Sequence, residues 1–150
     1  MPNQMPTASK LAGAVVFGCV GATAAWLGIP TLPEEVIPGY LLPVSTGLGI
    51  WIGWVIIGRN PGITFAQTIT QGIATIVVMV AALLFLVSSW EMIERSMRLY
   101  YDGPGEAVLD IARLLVFYGK LLLVSPVLVT LALGATFGAL IVRSVGRIWS

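Results

Sequence analysis

The chain contains no histidine and a single cysteine, Cys19. An intrachain disulfide is therefore excluded, and so is a metal centre built from clustered imidazole and thiolate ligands. Charge is scarce too. Asp, Glu, Lys and Arg make up 10% of the 150 residues, whereas soluble domains carry roughly 25%. So few charges cannot coat a water-exposed globule. With 57% hydrophobic residues and a mean hydropathy of +0.95, the chain reads as an integral membrane protein, and its length allows one compact domain over residues 1–150. The net charge is only +1 and there is no basic run, so nothing points to nucleic acid. No nucleophile–base pair, phosphate loop or cofactor fingerprint is legible. The segment GPGEA (103–107) is too short for a phosphate-cradling loop and follows no strand. No catalytic, cofactor-binding or metal-ligating residue is assigned, and the chain is read as a non-enzyme.

What is abundant is apolar sequence in long runs. The first run, 11–29, follows Lys10, carries Trp26 near its end and is closed by Pro30 and Pro33. At about 1.5 Å per residue it just crosses a hydrocarbon core of about 30 Å. It contains an Ala22-Thr23-Ala24 site of the kind signal peptidase cleaves, but the apolar run continues through Leu27 and Ile29, which disfavours cleavage. A loop with Glu34 and Glu35 leads to a second run, 41–57, which ends in the turn-forming GRNPG. The third, 65–90, has no charge, and the last, 127–142, is followed by Arg143, Arg147 and Trp149.

Between the third and last runs lies the charged part of the chain. Helical spacing continues from Glu91 to Asp102, with Glu91/Arg95, Glu94/Arg98 and Arg98/Asp102 each four apart. Gly103 suits a helix end, and Pro104 and Glu106 suit the first turn of the next helix. That helix, 105–123, places Glu106, Asp110, Arg113, Phe117 and Lys120 on one stripe. Near the bilayer centre each Asp, Arg or Lys costs about 2.5–3.5 kcal/mol, while Leu, Ile, Val or Phe returns about 0.3–0.6 kcal/mol. The helix is therefore expected to lie at the surface with its stripe towards water, and Ser125-Pro126 to mark the bend into the last span. A version in which 106–124 also crosses is the alternative.

The expected fold is all-α. It is a multi-span transmembrane helical bundle of about four spans, with an amphipathic interfacial helical hairpin (surface helices 91–102 and 105–123) between spans three and four. An even count puts both termini on one side. Lys10 favours a cytoplasmic N-terminus. Arg59, Arg143 and Arg147 would then lie inside, but Arg95, Arg98, Arg113 and Lys120 outside, so charge balance barely selects an orientation.

Three sets of residues invite a function. Small residues recur every fourth position at Ala14/Gly18/Ala22, Gly49/Gly53 and Gly134/Gly138. They imply close helix packing within the bundle or, alternatively, in a homo-oligomer. Gln67, Thr68, Gln71 and Thr75, with Thr64, form a polar stripe on the third helix, read as interhelical hydrogen bonding or as a polar path for a solute. Arg95, Arg98, Tyr101, Asp102, Glu106, Asp110 and Arg113 form a candidate docking or anion-contact surface. The intermixed carboxylates argue against a strong anion funnel, and the Glu106/Asp110/Arg113 run reads best as a salt-bridged stripe. Cys19 is read as a structural thiol, buried and inert in an apolar setting.

The segments MPTASKL (5–11), GIWIGWVIIGRNPG (49–62) and EMIERSMRLYYDGPGEAVLDIARLLVFYGKLLL (91–123) resemble, in that order and over most of the chain, the TrgA family of small bacterial membrane proteins associated with tellurite resistance. The charged stretch around Tyr101-Asp102-Gly103-Pro104 is the specific part. The resemblance implies a multi-pass protein of the bacterial inner membrane with no assigned enzyme chemistry. It also implies a start at Met5 and an association with tellurite tolerance, but no molecular mechanism; the first reading is that the protein acts through partners or membrane-level protection. One cysteine and no cofactor motif disfavour tellurite reduction. A small oligomeric transporter or channel for an oxyanion, and a membrane assembly factor unrelated to tellurite, are the alternatives. The expected partners are the lipid bilayer, a membrane protein or a second copy of the chain.

Overall fold

The computed structural model describes residues 7–32, 38–57, 64–98, 102–123 and 125–149. The expectations for Met5, Glu34, Glu35, Arg59 and Tyr101 fall outside them. The described residues form α1 (Thr7–Gly28), α2 (Leu41–Ile52), α3 (Phe65–Met97), α4 (Pro104–Leu122) and α5 (Ser125–Ile148), with no strand among them. Short 3-10 turns follow α1 and precede α2, and a π-helical turn, Gly53–Ile57, prolongs α2. Three helical segments are long and apolar enough to cross a membrane: Thr7–Thr31, Phe65–Met97 and Pro126–Ile148. The helix Leu41–Ile57 is shorter.

The helices pack through glycines. α1 and α2 run antiparallel along a seam where backbone meets backbone. A Cβ on Gly53 would lie 2.3 Å from the Gly13 carbonyl oxygen, and one on Gly21 would lie 2.5 Å from that of Ser45. On α5, Gly134 and Gly138 receive Val20 and Val16 of α1, and on α3 Gly72 meets the Ala135 backbone of α5. Such close approach is how helices gain contact where burial from water offers no driving force. The Gly49/Gly53 and Gly134/Gly138 pairs are thus spent inside the bundle. On α1 the seam with α2 is Gly13, Phe17 and Gly21, one position before the expected Ala14/Gly18/Ala22 ridge. Gly18 meets Ile50, and Ala14 and Ala22 line a shallow outer groove with Cys19 and Trp54. Phe17, Ile52, Ile57, Met79, Val127 and Val142 fill the core.

The helical pattern that continues from Glu91 is an extension of the third run's helix: α3 runs unbroken through it to Met97, with no break between span and surface segment. At 33 residues α3 is about 50 Å long. One expectation is corrected: Cys19 is exposed rather than buried, because it sits on α1 away from the Gly13–Phe17–Gly21 seam. Large apolar side chains also face outward along the long helices, Val15, Trp51, Phe85, Phe137 and Ile141 among them.

Candidate functional site

The polar side chains converge where α4 runs back along the end of α3. Arg95 donates to Glu91 Oε1 at 2.6 Å and to Asp110 Oδ2 at 3.1 Å. The first pair is the expected four-residue one. The second crosses from α3 to α4. The Tyr118 hydroxyl donates to the other oxygen of Glu91. The side chains of Glu91 and Asp110 are only 19% and 13% exposed, and Arg95 and Tyr118 supply part of what water no longer does. One helical turn away on the same face of α3, the Ser88 hydroxyl is fully buried and has no hydrogen-bond partner among the described residues.

Two tyrosines at this network have raised pKa values. Burial raises the pKa of the Tyr118 hydroxyl, followed by its hydrogen bond to Glu91 and then by that carboxylate's charge, with Arg95 opposing. Tyr40, at the start of α2, is also raised, first by burial and then by Glu91 and Glu94. Its ring lies 6.2 Å from that of Trp90. Beneath the two tyrosines is an apolar cavity of about 70 Å³ whose walls include Leu83, Val87, Leu121 and Val127. Every carboxylate of the network faces a cation or a hydroxyl, and the space below is greasy. The arrangement braces two helices against each other.

The remaining expected residues are dispersed. Arg98 pairs with Glu94 at 2.9 Å in a largely exposed position. Asp102 does not close the third four-residue pair; its backbone N–H donates to Glu106 Oε2 at 3.2 Å, which ties the residue before Gly103 to the first turn of α4. Arg113 is exposed, and neither it nor Lys120 makes an ion pair or side-chain hydrogen bond among the described residues. The expected salt-bridged stripe is therefore split. Asp110 turns inward to Arg95, while Arg113 and Lys120 point outward beside Leu109, Val116 and Phe117. The cause is the rotation of α4 about its axis, which Leu114 and Tyr118 set by burying themselves against α3.

The polar stripe on α3 lies at the opposite end of that helix. Thr68 and Thr75 are fully buried and donate to the Thr64 and Gln71 carbonyls of their own helix, at 3.0 and 2.7 Å. Gln67 is exposed and accepts the Thr64 N–H at 3.3 Å. The side-chain oxygen of Gln71 is buried without a partner among the described residues. Among the described residues, no three carboxylate or thiol side chains converge as metal ligands would.

Tyr118 and Tyr40 were missed in the sequence, although a signal for Tyr118 existed. It falls four residues after Leu114 on the apolar side of an amphipathic helix, where a buried phenol needs an acceptor. Among the described residues the fold is all-helical, with three helices long and apolar enough to cross a membrane. Comparison with known protein families, curated proteins and solved structures finds no match to this chain.

Proposed function

We propose that the protein is a non-enzymatic, four-span membrane protein that presents the end of α3 and the start of α4 as a rigid docking platform for a membrane partner. The observation that carries this reading is the Glu91–Arg95–Asp110–Tyr118 brace. It ties α4 to α3 and leaves bulky apolar residues such as Met97 and Val108 uncovered at the far end. Exposed groups on a rigid support are what a docking partner requires.

The membrane placement follows from lengths and charges. The helix Leu41–Ile57 counts 17 residues, the lower limit for a span, and it shares the α1 seam. α3 carries no charge before Glu91, so its last turns and α4 stand at the bilayer rim. Trp26, Tyr40 and Trp90 then supply aromatic anchors on that side. Both termini share the other side, cytoplasmic by Lys10. The TrgA resemblance adds the bacterial inner membrane and a role in tellurite tolerance, through the docked partner or membrane-level protection.

The test is a photo-crosslinking residue placed at Met97 and, separately, at Val108, in native membranes. A discrete protein adduct at either position is expected, and a second copy of the chain would register as a dimer. Adducts to lipid alone at both positions would end the docking reading. Normal tellurite sensitivity in a deletion strain would detach tellurite from it and favour an assembly role. Tellurite flux above that of empty liposomes would replace docking with transport.

A further inference from the structure

We infer that the basal half of α4 binds one anionic phospholipid, with its phosphate between Arg113 and Lys120 and an acyl chain in the apolar groove beside them. The inference rests on the membrane placement proposed above, but not on the identity of any protein partner.

The observation behind it is how the charges of α4 are divided. Its acids are engaged: Asp110 with Arg95, and Glu106 with the Asp102 N–H. Arg113 and Lys120 are left exposed and unpaired among the described residues. Around Arg113 and Lys120 the outer face of α4 is therefore cationic, although the helix as a whole is balanced and Glu106, held by a neutral N–H, keeps its charge about 10 Å away at the helix start. The two cations stand seven positions apart, a rise of about 10 Å along the helix. Two long, flexible side chains close that interval around one phosphate.

The surroundings of these cations select the ligand. Leu109, Ala112, Val116 and Phe117 form a shallow groove with Arg113 and Lys120, and three of them are large and exposed: Leu109 at 60%, Val116 at 59% and Phe117 at 47%. A free anion would satisfy the cations and leave this apolar surface uncovered. One step round the helix, Gly119 and Leu123 open a second groove, lined also by Val80, Leu84, Leu128 and Leu131 and almost wholly apolar. Gly119 has nothing within 4 Å of where a Cβ would stand, so this wall is open. A cationic patch that continues into an apolar trough matches a phosphate carrying an acyl chain. Depth agrees as well. Tyr118 contacts Glu91, the first charge after the apolar run of α3, so Lys120 stands at the hydrocarbon boundary and Arg113 further out, among headgroups.

The test uses the full chain purified in a neutral detergent, with dioleoyl phosphatidylglycerol, dioleoyl phosphatidylcholine or inorganic phosphate added. Native mass spectrometry reads bound lipid, and a melting curve reads stabilisation. Phosphatidylglycerol is expected to be retained at one per chain and to raise the melting temperature, with phosphatidylcholine and phosphate doing neither. The R113Q/K120Q variant should bind it about 30-fold more weakly, at about one decade or less per charge, while Arg98→Gln changes nothing. Gly119→Leu fills the trough without altering charge and should also weaken retention, so the inference stays testable if the charge variant misfolds. Equal retention of both lipids, or retention unmoved by either variant, would overturn the site. Stabilisation by phosphate alone would reassign it to a free anion. A chain that fractionates without membranes would fail the membrane placement itself, a result distinct from any of these.

Discussion

Replacing Gly49 by alanine adds one methyl group at the tightest point of the α1–α2 seam. That methyl would stand 2.2 Å from the Phe17 carbonyl oxygen, 2.8 Å from its carbon and 3.0 Å from the Gly18 Cα. All three are backbone atoms, so no side chain can rotate aside. Ordinary contact begins at 3.4 Å, and α1 must therefore retreat by about 1.2 Å. A gap of about 0.5–1 Å already forfeits a quarter to a half of each dispersion contact. The loss is shared by the Gly13/Gly53 and Gly21/Ser45 contacts on the same seam. The expected destabilisation is about 1–3 kcal/mol, the range for overpacking a close-packed interior. Gly47, two residues earlier in the same helix, has nothing within 4 Å of its would-be Cβ. Gly47→Ala should be neutral, or stabilising by up to about 1 kcal/mol through helix propensity. Unfolding in mixed micelles by stepwise addition of sodium dodecyl sulfate, followed by far-UV circular dichroism, measures both. If Gly49→Ala unfolds at the same detergent fraction as Gly47→Ala, or later, the seam is not where the structure places it.

Other outcomes follow from the α3–α4 brace and the membrane placement. Arg95→Met leaves Glu91 and Asp110 without their cation and should cost about 1–3 kcal/mol; hydrogen exchange should quicken across α4 and stay unchanged in the α1–α2 seam. Tyr118→Phe removes the hydrogen bond to Glu91. Because the fold raises the Tyr118 pKa above its usual 10.0, this hydroxyl stabilises fully below pH 10 and loses its contribution as pH rises beyond it. The wild-type protein should therefore lose stability above pH 10 more steeply than Tyr118→Phe, as thermal melts at successive pH values will show. In a Cys19→Ser background, cysteines at Asp102 and Ser125 should react with an impermeant maleimide from the same side of the membrane. Labelling from opposite sides would make α4 a fifth span.

Much of this architecture was legible from local spacing. Scarce charge and long apolar runs pointed to helices long and apolar enough to cross a membrane, and the starts of α2 at Leu41 and α3 at Phe65 fall where those runs begin. The Glu91/Arg95 and Glu94/Arg98 pairs formed because residues four apart on a helix are neighbours whatever else the chain does. Glu106 serves the first turn of α4, as its position implied.

What local spacing could not reveal is which way each helix faces. Along α1 nearly every position is apolar or small, and lipid and protein interior are equally greasy, so hydropathy does not distinguish the seam at Gly13 and Gly21 from the ridge beside it. That choice was made by backbone approach, helix against helix. On α4 the burial of Leu114 and Tyr118 set the rotation, which sent Asp110 to Arg95 and turned Arg113 and Lys120 outward. Helices and their nearest-neighbour pairs come from the order of residues alone. The partners across helices depend on rotation and register, and those exist only once the bundle is assembled.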